Sequence, residues 1–112
     1  MHELALTQSV LDLALARAQA VGARRVLAVN LSLAHFAHES EEALRFHWGL
    51  LSESTLAGGA ELRVRRMSVN AHCVDCGHSF APESEPPLCP VCFSLRVTPD
   101  LAAVRVESID VE

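Results

Sequence analysis

Lysine and tyrosine are absent from this chain of 112 residues, and aromatic residues make up only 4% of it. All nine basic residues are therefore arginine, and fourteen carboxylates leave a formal net charge of −5. A nucleic-acid-binding module wants a basic face with stacking aromatics, so this balance argues against a phosphate backbone as partner. No apolar run reaches the length of a signal or membrane-spanning segment, and Met1-His2-Glu3-Leu4 offers no basic leader. The expected setting is the cytoplasm, where thiols stay reduced, with no membrane partner. A glycine-rich phosphate loop and a convincing nucleophile–base pair are also missing, so neither nucleotide hydrolysis nor other catalysis is expected.

What the chain does have is concentrated. All four cysteines fall in one stretch, as Cys73-x2-Cys76-x12-Cys89-x2-Cys92. Two Cys-x-x-Cys turns can each offer two thiolates to one tetrahedral ion, and a closed four-sulfur shell is the usual form of a structural zinc site. Disulfides are disfavoured by the reducing setting. Iron in a rubredoxin-like centre uses the same turns and remains the alternative. Gly77, directly after Cys76, suits the positive φ that such a turn demands. Its counterpart Phe93 departs from that rule, and its ring is expected to cover the site. Structural zinc contributes on the order of 10 kcal/mol to folding, so the module is expected to collapse without metal. Four thiolates leave no open position for substrate, which argues against a catalytic ion.

The rest of the chain predicts an α+β fold: two helices on a small sheet of about three strands, with the cysteine module inserted. Leu6, Val10, Leu13 and Ala14 repeat at helical spacing, widened by Leu11 and Leu15, and Gly22 is a natural stop. Leu27, Val29, Leu31 and Leu33 alternate with Ala28, Asn30 and Ser32, as in a strand with one buried face. Ser40 is placed to cap a second helix, with Glu41 and Glu42 in its first turn and Leu44, His47, Trp48 and Leu51 on one face, beside Phe46 and Leu50. Gly58-Gly59 ends that pattern. In the strand that follows, Leu62 and Val64 shift phase to Met67 and Val69; in the last segment, Val104 and Val106 shift to Ile109 and Val111. A one-residue slip is what a β-bulge produces, so these strands are expected to pair, bulged near Arg65-Arg66 or Glu107-Ser108. Residues 1–69, completed by 100–112, then form one domain and residues 70–99 the metal-holding one, its Pro82–Pro87 loop (through Glu83, Ser84 and Glu85) stiff and polar.

At the other end, a histidine stands second. The α-amino group of Met1, the His2 amide nitrogen and the His2 Nδ1 can close a five- and a six-membered chelate ring on one ion. Ni²⁺ and Cu²⁺ favour such planar nitrogen donors. Taken alone, His2 is a weak signal, and a solvated terminal residue is the plainer reading. Of the other histidines, His72 and His78 flank the first cysteine pair, where either could bond or replace a thiolate. Exposed residues without a ligand role are the plainer reading of both. His35, His38 and His47 are expected to be structural.

Met1-His2-Glu3-Leu4 leading into Ser9-Val10-Leu11, the Ala43-Leu44-Arg45-Phe46 helix, Gly59-Ala60-Glu61-Leu62, the four cysteines and the closing Ile109-Asp110-Val111-Glu112 together resemble the HypA/HybF family. These are nickel metallochaperones of [NiFe] hydrogenase maturation. The resemblance runs over nearly the whole chain and implies Ni(II) as cargo at Met1, His2 and Glu3. His2 would be the indispensable ligand, and Glu3 would tune the site or meet a partner. It also implies structural Zn(II) at Cys73, Cys76, Cys89 and Cys92. The implied partners are a HypB-type GTPase and the [NiFe] hydrogenase large-subunit precursor, with urease also supplied in some organisms. The chain is expected to be a monomer or weak homodimer. Two other classes compete: a zinc-ribbon adaptor that binds proteins without moving nickel, and a nucleic-acid-binding regulator.

Overall fold

The computed structural model describes residues 2–84 and 86–112, with the backbone alone at His2. Met1, the His2 side chain and Glu85 lie outside the described residues. Eight elements follow one another: helix α1 (His2–Ala20), strand β1 (Val26–Ala34), helix α2 (Glu41–Ser52), and strands β2 (Glu61–Met67), β3 (Ala71–Cys73), β4 (Ser79–Phe80), β5 (Val97–Pro99) and β6 (Val104–Val111). The strands form two three-stranded sheets, ordered β2-β1-β6 and β4-β3-β5. This is the expected α+β class. Among the described residues, no helix is long and apolar enough to cross a membrane.

The chain divides into two compact units, Met1–Leu31 with Glu39–Arg65 and Val106–Glu112, and Ser32–His38 with Arg66–Arg105. In the first, α1 packs on α2. The buried positions of α1 are Thr7, Val10, Leu11, Ala14 and Ala18, one stripe at helical spacing. Leu13, expected in that stripe, is instead 42% exposed. Thr7 joins the stripe instead, its hydroxyl satisfied by donating to the Glu3 carbonyl one turn back. Gly22 ends the helix at φ 68°, with Gly22 N–H donating to Gln19 O and Ala23 N–H to Ala18 O. That pair of bonds satisfies the last carbonyls in a Schellman closure.

Ser40 caps α2, its hydroxyl accepting the Ala43 N–H at 3.2 Å. Leu44 and Trp48 are buried, whereas Phe46 and Leu50 face solvent at 64% and 60% exposure. The indole N–H of Trp48 donates to Ala60 O at 3.0 Å and Arg45 donates to Leu62 O, so α2 is tied to the chain entering β2.

Two expectations about the strands are corrected. β1 is not buried on one face alone: Leu27 is 41% exposed, while Ala28 and Ser32 are buried. It is the central strand, and small residues on its second face allow close covering there. β2 and β6 do not pair with each other but flank β1 on opposite sides. The most apolar strand takes the centre and the two charge-rich strands take the edges, where charge discourages further pairing. The phase shift in β2 instead marks a change of core. Leu62 is buried in the first unit, whereas Val69 joins Ala34 and Phe36 in a cluster of the second, with Met67 and Ala103 against it.

The second unit also holds the sheet β4-β3-β5, which was not foreseen. Its antiparallel register pairs Ala71 with Phe80 and Pro99, His72 with Ser79 and Thr98, and Cys73 with Val97. Strands of two or three residues carry no readable periodicity. This sheet delivers Cys73, at the end of β3, to the cysteine cluster.

Candidate metal centre

The four cysteines sit on two turns built alike. In the first, Cys73 N–H donates to His78 O and Gly77 N–H returns to Cys73 O, each at 2.9 Å. In the second, Cys89 N–H donates to Ser94 O at 3.0 Å and Phe93 N–H returns to Cys89 O at 2.9 Å. Both turns need a left-handed residue after the second cysteine. Gly77 supplies it at φ 79° and Phe93 at φ 60°. Phe93 is the sole non-glycine residue with positive φ among those described. Its ring does not cover the cluster as expected, for it stands 71% exposed.

The turns bring all four sulfurs within 4.8 Å of one another. Cys73 Sγ lies 3.5 Å from Cys92 Sγ, and Cys76 Sγ lies 3.6 Å from Cys89 Sγ. A tetrahedral ion with metal–sulfur bonds of about 2.3 Å spaces its sulfurs about 3.8 Å apart, so the donor set and its spacing fit thiolate-bound zinc. Cys73 and Cys89 are buried; Cys76 and Cys92 are exposed.

Backbone amides, burial and the neighbouring thiols together set the charge on each sulfur. The Cys76 N–H, with help from Cys92 and the Asp75 N–H, draws the Cys73 thiol down to about 7 despite burial. The Cys92 N–H, assisted by that of Val91, likewise lowers Cys89. Cys76 and Cys92 receive one amide each, from His78 and Ser94. For Cys76, burial and the neighbouring Cys89 outweigh that amide and raise the thiol. For Cys92, the pull of the Ser94 amide is overcome by Cys73, burial, Cys76 and Cys89, which push it up to about 12. Four thiolates repel one another, and a divalent cation at the centre is what lets all four ionise together.

A third layer, not anticipated from the sequence, fastens one turn to the other. Asp75 accepts hydrogen bonds from the Ser94 hydroxyl and, at 2.9 Å, from Arg96 Nη1. Arg96 N–H donates to Ser94 Oγ at 3.0 Å, and Val74 N–H donates to Arg96 O at 2.8 Å. A lone aspartate between two cysteines carries no pattern that would announce such a role.

The histidines next to the first turn have neighbours other than the sulfurs. The His78 ring stacks on Phe80, with centroids 5.9 Å apart, and it is the His78 backbone N–H that meets the Cys76 sulfur. His72 Nδ1 lies 3.6 Å from Asp100 Oδ1. His47 packs edge-on against Phe46, and His35 lines an open depression with Ala37, Arg66 and Glu83. At the far end of the chain, α1 begins at His2, and Glu3 is half-buried in its first turn. Of the terminal triad, then, only Glu3 has a described side chain.

Comparison with known proteins gives a consistent answer. A family model described as "HypA: Hydrogenase/urease nickel incorporation, metallochaperone, hypA" matches residues 1–111. The chain is 36% identical over 97 residues to the hydrogenase maturation factor HypA of Chlorobium luteolum, covering 87% of this chain and 83% of the relative. It is 31% identical over 114 residues to the HypA of Caldanaerobacter subterraneus subsp. tengcongensis, covering all of both chains. Its fold is similar to the solution structure of the nickel metallochaperone HypA from Helicobacter pylori, with a TM-score of 0.75 at 20% identity over 97% of this chain and 96% of that one.

Proposed function

The chain belongs to the HypA family of hydrogenase/urease nickel-incorporation metallochaperones, and on that premise we propose that it carries Ni(II) at its N-terminus. The family is one of metal carriers rather than enzymes. In this reading the Met1 amine, the His2 amide nitrogen and His2 Nδ1 supply three corners of a nickel plane. Glu3 tunes the site or meets the recipient. Residues 1–69 and 100–112 handle the cargo, and residues 70–99 hold structural Zn(II) on Cys73, Cys76, Cys89 and Cys92.

The observation that carries the reading is the family match from residue 1 to residue 111, over a chain whose second residue is histidine. Ligand chemistry supports it. Nickel can displace an amide proton and accept planar nitrogens, whereas zinc prefers a tetrahedral sulfur cage. One chain can therefore keep two ions apart by geometry. When bound, zinc supplies shape and no open coordination position.

Delivery then proceeds by ligand exchange at the terminal nitrogen site. The recipient we propose is a HypB-type GTPase, with the [NiFe] hydrogenase large-subunit precursor beyond it and urease in organisms that make one. A cytoplasmic setting and a monomer or weak homodimer complete the proposal. The test is a nickel titration of protein with an authentic, untagged Met1, beside His2→Ala. The parent should bind nickel and the variant should lose that binding. Equal nickel uptake by both would sink the terminal site and leave the zinc-ribbon adaptor as the better reading.

A further inference from the structure

The two cysteine turns differ in one respect that their hydrogen bonding does not demand. Gly77 holds its left-handed conformation freely, because nothing lies within 4 Å of where a Cβ would be and glycine has no side chain to clash. Phe93 holds the same conformation with a bulky side chain, which L-residues avoid, and it stands 71% exposed, so little burial offsets the strain. Such strain persists only where the surroundings over-determine it. The surroundings here are specific. Ser94, the next residue, donates through its hydroxyl to Asp75, accepts the Arg96 N–H on that same oxygen, and gives its own N–H to the Cys92 sulfur. Arg96 grips the second oxygen of Asp75, and its carbonyl takes the Val74 N–H. Asp75 lies between Cys73 and Cys76, so the grip runs from one turn to the other.

We propose that Asp75, by holding Ser94 and Arg96, is the latch that keeps the strained second cysteine turn closed and so sets how firmly the four sulfurs retain their metal. Asp75 is a positioning residue here, acting on Cys92 through Ser94. The inference rests on the zinc reading of the cluster.

It is tested in the full-length protein by timing zinc release to a chromophoric chelator from the parent, Asp75→Ala, Phe93→Gly and the double variant. Cobalt(II) substitution provides a spectroscopic check on the donor set. Asp75→Ala should release zinc about tenfold faster, the lower end of what loss of an outer partner does to a metal site. Phe93→Gly should release it no faster than the parent. With glycine at 93 the turn no longer needs forcing, so Asp75→Ala should then accelerate release by about threefold or less. Unchanged release from Asp75→Ala, or the same acceleration with and without Phe93→Gly, would overturn the latch. Should Asp75→Ala fail to fold, Ser94→Ala removes one arm while keeping the amide on Cys92, and the same comparison applies. A parent that shows no tetrahedral cobalt–thiolate spectrum would instead refute the zinc reading itself.

Discussion

Single residues set the turns of this molecule, and glycine positions illustrate two different reasons. A Cβ at Gly58 would sit 2.6 Å from the Glu53 carbonyl oxygen and 3.2 Å from that of Thr55. Both are backbone atoms that cannot rotate aside. Gly58→Ala is therefore expected to destabilise the protein by about 1–3 kcal/mol, measured as a lower denaturant midpoint. A midpoint equal to the parent's would mean that the turn relaxes freely. Phe93 is the converse case, a side chain where glycine fits better. Phe93→Gly should raise the melting temperature of the metal-loaded protein, by a stability gain of about 0.5–1 kcal/mol. Some of these residues were legible from the sequence, Ser40 as a cap and Gly22 as a stop, because capping is local chemistry. Thr7 and Asp75 were not. Their roles depend on a helical turn back to Glu3 and on a partner turn some twenty residues on.

At the scale of elements, periodicity found both helices but misplaced part of their buried faces. Leu13 and Leu50 are apolar and exposed; Thr7 and Ser52 are polar and buried, each with its hydroxyl bonded to a carbonyl one turn earlier. Once its hydroxyl is satisfied, such a residue packs as a small apolar one would. This gives a paired prediction. Leu11→Ala should lose about 2–5 kcal/mol of stability, while Leu13→Ala should change it by less than about 0.5 kcal/mol. Similar losses from both would contradict the assigned face. In the sheet, alternation located the strands, and the charge carried by β2 and β6 explains why they flank β1. Their shifted phase suggested a shared bulge, yet in β2 it records burial in two different cores, a distinction that only three-dimensional structure makes.

For the molecule as a whole, metal binding couples to protons. In the metal-free cluster the lowered Cys73 favours the fold above the ordinary thiol value of 9.0, and that contribution is lost as pH falls through about 7. The raised Cys92 works the opposite way, its contribution present below 9.0 and lost as pH rises through about 12. Metal requires all four thiolates, so Cys76 and Cys92 must give up protons at neutral pH. Zinc binding at pH 8 should accordingly release protons, those of Cys76 and Cys92 among them, read from calorimetry in buffers of different ionisation enthalpy. Chelator-driven zinc loss should be faster at pH 6 than at pH 8. Equal rates would argue against thiolate ligation.

The central claim is that one chain holds two ions at two separate sites, a sulfur cage that keeps zinc and a terminus that carries nickel. Elemental analysis tests it most directly, with zinc and nickel counted separately in untagged protein before and after nickel loading. The account predicts roughly one zinc throughout and roughly one nickel gained on loading, with no zinc displaced. Nickel that enters only as zinc leaves would contradict it.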